Sequence, residues 1–228
     1  MTANRRAAPS RGTALAAGLF YLLTFVSIPT LSLYSLVKEA NYILGPGPDS
    51  GAMIGAVLEL VVGLAGIGTA VALYPVVKRQ NEALAIGFVG SRTLEAAGIS
   101  AGVACLLSVV TLRQTGAGAD ALVASRVLVA LYDRLFLVSQ SLIPAVNAVL
   151  LGTLLYRSRL VPRALPLLGL IGAPLLVASD VAVLFNLLGR SSAPVALAAL
   201  PIALWEFSLG IWLTVRGFNP SASVLNAD

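Results

Sequence analysis

Residues 52–76, AMIGAVLELVVGLAGIGTAVALYPV, decide the architecture. Their one charged side chain is Glu59, and no proline interrupts them before Pro75. Wound as a helix at 1.5 Å per residue they reach about 38 Å, more than the roughly 30 Å hydrocarbon core of a bilayer. So long an apolar run is too long for a strand and reads as a membrane-spanning helix.

Working outward, similar runs cover residues 13–36, 83–112, 163–188 and 193–215. A longer one ends near Tyr156 and begins as early as Leu122. Its first part, with Arg126, Asp133 and Arg134, is expected to project from the membrane or lie along its surface. Run 13–36 is too long for a secretory signal and reads as a retained first helix. The 45–51 stretch, GPGPDSG, is turn chemistry, expected to be ordered only by its neighbours. The expected fold is all-α: a polytopic membrane bundle of about six helices. The organisation is a tail at 1–12, one transmembrane domain at 13–218 and a second tail at 219–228.

Composition agrees. Of 228 residues 58% are hydrophobic and 11% charged, with a mean hydropathy of +0.92, against about 25% charged in soluble domains. Arg5, Arg6, Arg11, Lys78, Arg79, Arg157, Arg159, Arg163 and Arg216 fall on the side of the termini; the other side has Lys38, Arg113 and Arg190, besides Arg126 and Arg134 on the projecting part of the long run. That excess places both termini in the cytoplasm of a bacterial inner membrane. The basic residues stand singly, so no nucleic-acid partner is expected. Membrane lipids are the expected surroundings, a lipophilic small molecule the candidate ligand, and an oligomer is allowed.

Histidine is absent, which removes the commonest metal ligand and general base. Cys105 stands alone, so no disulfide can form within the chain. Neither a metal site nor a cofactor is expected. Leu73-Tyr74 and Gly87/Gly90 are matched by Leu155-Tyr156 and Gly169/Gly172, a weak parallel repeat. No inverted repeat and no discontinuous helix pair is evident.

The informative residues are polar ones at membrane depth. Glu59, Glu95, Asp180 and Glu206, with Arg92, Gln140 and Asn147, fall well inside the apolar runs. Ionisable side chains at such depth face the bundle interior and mark function by default. Counted along the helices, Glu59, Glu95, Gln140, Asp180 and Glu206 lie within roughly 9 Å of one another in depth, so the four carboxyls are expected to share one cavity. Small residues flank them: Gly63 and Gly66 beside Glu59, Gly98 and Gly102 beside Glu95, Ala203 and Gly210 beside Glu206. Arg92 and Glu95, three apart, are spaced to pair, with a third acid sharing the arginine. Four acids against one guanidinium leave negative charge over, to be met by bound protons or a cation.

Two readings follow. In the first, Glu59, Glu95, Asp180, Glu206 and Arg92 are the catalytic set of an acid–base enzyme for a lipid or isoprenoid-like substrate, protonating, isomerising or cyclising it. Phe136, Gln140, Asn147 and Trp205 would line the ligand site, the aromatics shielding a cationic intermediate. In the second, the acids carry the coupling ion of a small-molecule transporter. Non-catalytic lipid binding, with the polar residues acting as interhelical glue, is the bland alternative.

Three strings carry a resemblance: residues 72–81, ALYPVVKRQN, leading into 83–95, ALAIGFVGSRTLE; and 201–212, PIALWEFSLGIW, followed by Arg216-Gly-Phe218. Together they resemble the bacterial membrane-protein family known as domain of unknown function 4386, over about residues 10–219. The resemblance implies one small multi-pass domain. It carries over Arg92, Glu95, Trp205 and Glu206 as residues of interest without roles.

Overall fold

A computed structural model describes residues 11–226. The expected tail at 1–12 therefore lies almost wholly outside the described residues. Six helical segments are long and apolar enough to cross a membrane: Arg11–Leu33, Ser50–Val77, Glu82–Gln114, Ala119–Ser158, Ala164–Leu184 and Ala193–Val215. No strand occurs among the described residues.

The first segment is α1 (Arg11–Leu23), a 3-10 turn (Thr24–Ser27) and α2 (Thr30–Leu33). Instead of the continuous helix expected over 13–36, the chain breaks at mid-membrane. Pro29 has no N–H to give, and hydroxyls take the backbone carbonyls: Thr24 donates to the Tyr21 carbonyl and Thr30 to that of Ser27, each at 2.6 Å. The second and third segments are single helices, α3 (Ser50–Val77) and α4 (Glu82–Gln114). The Asn81 side chain caps α4 by accepting from the Leu84 N–H at 2.9 Å.

The fourth segment joins α5 (Leu122–Phe136) and α6 (Ile143–Ser158) through a π-helical stretch at Leu137–Leu142. Pro144 explains the widening: it offers no N–H to the Gln140 carbonyl, and its ring crowds that carbonyl in a regular helix. The loop-face end does not lie flat. It continues as part of one rod of 40 residues, about 60 Å, with α5 packed against the long α4. The fifth and sixth segments are α7 (Ala164–Leu184), which ends four residues earlier than expected, and α8 (Ala193–Val215).

The six segments close into a ring. Each packs against its neighbour in sequence, and α1 meets α8. Where α1 crosses α8, Gly18 is indispensable: a β-carbon there would come 2.6 Å from the Thr214 backbone nitrogen. Gly169 and Gly172 make similar approaches to Trp205 and Pro201, whereas Gly90 faces open space and Gly87 only the tip of Leu150. The suspected repeat is thus not matched in packing role.

The half of the bundle nearest the termini is solidly apolar. Tyr21, Leu73, Phe88, Ala148, Leu151, Trp205, Leu209 and Leu213 form one buried cluster. The stretch expected as a C-terminal tail joins it: α9 (Ser223–Asn226) folds back, burying Ala222 and Val224, and the Asn219 N–H donates to the Leu160 carbonyl at 2.8 Å.

On the opposite, loop-bearing face, Arg113 organises the glycine-proline stretch. Its Nε donates to Asp49 at 2.6 Å, its Nη2 to the other oxygen of that carboxylate, and its Nη1 to the Gly45 carbonyl at 3.3 Å. Gly47 has a φ of +90°, and a β-carbon there would lie 2.9 Å from that guanidinium. Tyr42 and Gln114 also donate to Asp49. Burial and the Asp49 carboxylate push the Tyr42 phenol up to about 12.

The hydrogen bonds from Arg113 hold the Asp49 carboxyl well below the usual aspartate range. A carboxyl bound more acid in the folded state contributes fully above its unfolded value, about 3.9, and loses that contribution as pH falls through the folded one. The melting-temperature difference between wild type and Asp49→Asn in detergent should therefore stay constant from neutral pH to about pH 4 and shrink only below it. A gap that narrows already between neutral pH and pH 5 contradicts this clamp.

Candidate functional site

At mid-depth the ring does not fill. A cavity of about 220 Å³ is lined by polar Arg92, Glu95, Gln140, Ser141 and Glu206 together with Thr24 and Ser27. The apolar wall includes Phe25, Val62, Ile99 and Ile202. It has room for several waters, or for the functional end of a larger molecule. Its rim includes the exposed Ile28 and partly exposed Phe25 and Ala203. It thus opens to the lipid-facing side between the first and sixth segments. The break at Thr24–Ser27 lies at that opening: α1 packs against both α3 and α8, and beyond the break α2 packs on α3.

Arg92 forms the floor. It is 2% exposed, with Nη1 2.9 Å from Glu95 and Nη2 2.6 Å from Glu206. Its guanidinium also faces the rings of Tyr21 and Phe88 at 5.3 and 5.7 Å. The expected pairing with Glu95 and a sharing acid is present, and Glu206 is that acid. Asn147 donates to the same Glu95 oxygen at 2.7 Å. The two carboxylates are therefore unequal. Glu95 is held by both Arg92 and Asn147, whereas Glu206 accepts from Arg92 and is the less buried.

The other two carboxyls do not line this cavity, contrary to the expectation of one shared site. Glu59 is fully buried in a nest of hydroxyls and an amide. Tyr132 donates to it at 2.9 Å, Gln140 at 3.2 Å and Tyr34 at 3.3 Å. Asp180 lies behind Ser141, which donates to it at 2.6 Å. Depth counting finds the layer but not the direction in which each side chain points. The π stretch does the dividing: consecutive residues Gln140 and Ser141 both line the cavity, yet the first turns to Glu59 on α3 and the second to Asp180 on α7.

The residues expected to line a ligand site divide similarly. Gln140 lines the cavity, and Asn147 supports its floor through Glu95. Phe136 lies nearer the loop face, where the Arg190 guanidinium stacks on its ring at 4.2 Å. Trp205 is fully buried against Gly169, whose missing β-carbon would lie 2.6 Å from the indole. Both are packing residues. The aromatic ring in the cavity wall is instead Phe25, packed edge-on to Phe207 at 5.3 Å between centroids.

Sequence reading missed Tyr34, Tyr132 and Ser141. Tyr132 was legible, standing four and eight residues before Phe136 and Gln140 on one helical stripe. Tyr34 was not, because the expected first helix carried it away from α3. Among the described residues no cluster of three metal-ligating side chains occurs.

The family model for Domain of unknown function (DUF4386) matches residues 16–217. The chain therefore belongs to that family. No curated protein and no solved structure matches it.

Removing Arg92 leaves two carboxyls in the buried floor without their cation. Breaking one side of such a buried pair costs roughly 3–5 kcal/mol. Arg92→Ala should lower the melting temperature of the detergent-solubilised protein sharply, while Arg216→Ala, at an exposed position, should leave it within about a degree or two. Equal effects from the two would contradict the assignment of Arg92 as the central tie.

Proposed function

We propose that this protein is an intramembrane acid–base enzyme acting on a lipophilic substrate. The supporting observation is the Glu206–Arg92–Glu95 cluster at the floor of a lipid-facing, mid-membrane cavity. The cavity is too small for a whole lipid, so a substrate places its reactive end inside and leaves its tail between the first and sixth segments.

Glu206 is the group that moves the proton. Arg92 and Asn147 both hold Glu95, whereas Glu206 accepts from Arg92 and is the less buried, so the transferred proton is assigned to Glu206. As an acid it gives that proton to an alkene carbon, forming a C–H bond and an adjacent carbocation. The cation faces Phe25 and loses a proton from a neighbouring carbon back to the Glu206 carboxylate. The double bond has moved, or a ring has closed, with no oxidant or second substrate consumed.

Solvent deuterium tests this. Purified protein is reconstituted in D2O with the total lipid extract of a bacterial inner membrane, and the lipids are read by mass spectrometry. Wild type should place carbon-bound deuterium in a neutral lipid, and Glu206→Gln should not. Absence of such deuterium with folded, reconstituted wild type rejects the enzyme. The second reading, ion-coupled transport, is favoured by the broken first segment beside the cavity. Its signature is Glu206-dependent proton uptake into dye-loaded vesicles without lipid labelling.

The basic residues further argue for termini in the cytoplasm of an inner membrane, with the 45–51 loop outside. Ser50 and Ser221 are exposed on opposite faces, and the native Cys105 is buried. In intact cells an impermeant maleimide should label Ser50→Cys and reach Ser221→Cys only after permeabilisation. The reverse pattern inverts the topology.

A further inference from the structure

Glu59 is a fully buried carboxyl outside the cavity, and the proposed chemistry does not use it. Its neighbours nonetheless extend in two directions. Toward the loop-bearing face stands a part-exposed cluster: Lys38 lies 2.9 Å from Asp133, and Arg190 2.7 Å from the same oxygen. The Lys38 ammonium sits over the Tyr132 ring, 4.3 Å from its centroid, and the Tyr132 hydroxyl donates to Glu59. Toward the interior, Gln140 bonds Glu59 on one side and lines the cavity on the other. Val62, one turn from Glu59 on α3, is also part of the cavity wall. Among the described residues no comparable polar sequence leads to the cavity from the terminal face, where Tyr21 and Phe88, members of the buried apolar cluster, face the Arg92 guanidinium.

We propose that Glu59 is a proton relay that connects the loop-bearing face to the Glu206–Arg92 site, so that this site exchanges protons with that side of the membrane alone. The groups facing Glu59 suit the task. Two phenols, from Tyr34 and Tyr132, can each donate and accept, and the amide of Gln140 holds the carboxyl in place. Lys38 is a charged neighbour acting on it, and Ile99 and Val103 of α4 join Ala56 and Val62 of α3 in an apolar cluster beside it. A proton from the loop-side medium passes by the tyrosine hydroxyls to the Glu59 carboxylate. Glu59 then releases it past Gln140 to water in the cavity, and that water protonates Glu206. Glu59 returns to the carboxylate form, ready for the next proton. The proposal rests on the reading of Glu206 as the proton-transferring group, but not on what that proton is used for.

The test therefore reads protonation of Glu206 directly. Dicyclohexylcarbodiimide dissolves in the bilayer and reacts with protonated carboxyls rather than carboxylates. The protein is reconstituted in vesicles in known orientation, acidic on one side and alkaline on the other, and labelling of the Glu206 peptide is followed by mass spectrometry. Labelling should be fast when the loop side is acidic and slow when only the terminal side is. Glu59→Gln should slow the loop-side response by at least about tenfold, in line with loss of a positioned proton-transfer group. Glu59→Asp should restore most of it. Tyr132→Phe, which leaves the carboxyl in place, should also slow labelling, so the outcome does not hang on the folding of one variant. The inference is overturned if labelling follows terminal-side acidity, if Glu59→Gln and Tyr132→Phe leave the response unchanged, or if Glu206 is never labelled. Failure of lipid deuteration with the labelling pattern intact would remove the enzyme and leave the relay. Deuteration that survives Glu59→Gln with no change in labelling would do the opposite.

Discussion

The middle of this bundle depends on one guanidinium. Arg92 is taken out of water at a cost of several kcal/mol, and only its two carboxylate partners and the faces of Tyr21 and Phe88 offset that cost. The partners come from different places. Glu95 is on the same helix, but Glu206 is on α8, the opposite member of the ring, so the ion pair runs across the interior rather than along a helix contact. A tie of this kind contributes register more than net stability: α4 and α8 meet at one depth and one rotation or the charge is left alone. It also explains why a cavity exists. Polar side chains meeting across the ring hold the walls apart at that level, while the terminal half packs as one apolar cluster rich in Leu and Ala.

Much of this could be read from the residues. Six apolar runs fixed the class of fold, because no other structure satisfies the backbone of so many twenty-residue apolar stretches. The Arg92–Glu95 spacing predicted a pair, and the charge imbalance predicted a sharing acid. The partition of the four carboxyls could not be read. A rise of 1.5 Å per residue converts sequence into depth, but the direction of a side chain also needs the ring order and any break in helical phase. Two such breaks stand between the sequence and the site. The π stretch before Pro144 shifts the phase of everything after it in the fourth segment. The break at Thr24–Ser27 brings Tyr34 back over α3, where it finds Glu59. Phe136 and Trp205 were misassigned for the same reason, since an aromatic near a polar layer in sequence need not face it.

The positions of these breaks carry their own argument. In hydrocarbon, irregular backbone survives only where protein buries it or where it borders a polar cavity. Both irregular stretches border the same cavity: Thr24, Phe25, Ser27 and Ile28 from the first segment, Gln140 and Ser141 from the fourth. At each, hydroxyls answer carbonyls that a regular helix would have used, Thr24 to Tyr21, Thr30 to Ser27 and Ser139 to Leu135. Elsewhere the chain follows uninterrupted α-helix for up to 33 residues. The sequence thus departs from regularity at one depth, on two helices far apart along the chain, beside the same charged floor. Packing alone would not demand that coincidence, because an apolar ring could close with six straight helices as its terminal half does. A polar chamber reached from the lipid through a broken helix does demand it, and this is why the irregular backbone and the buried charges are best understood as parts of one site.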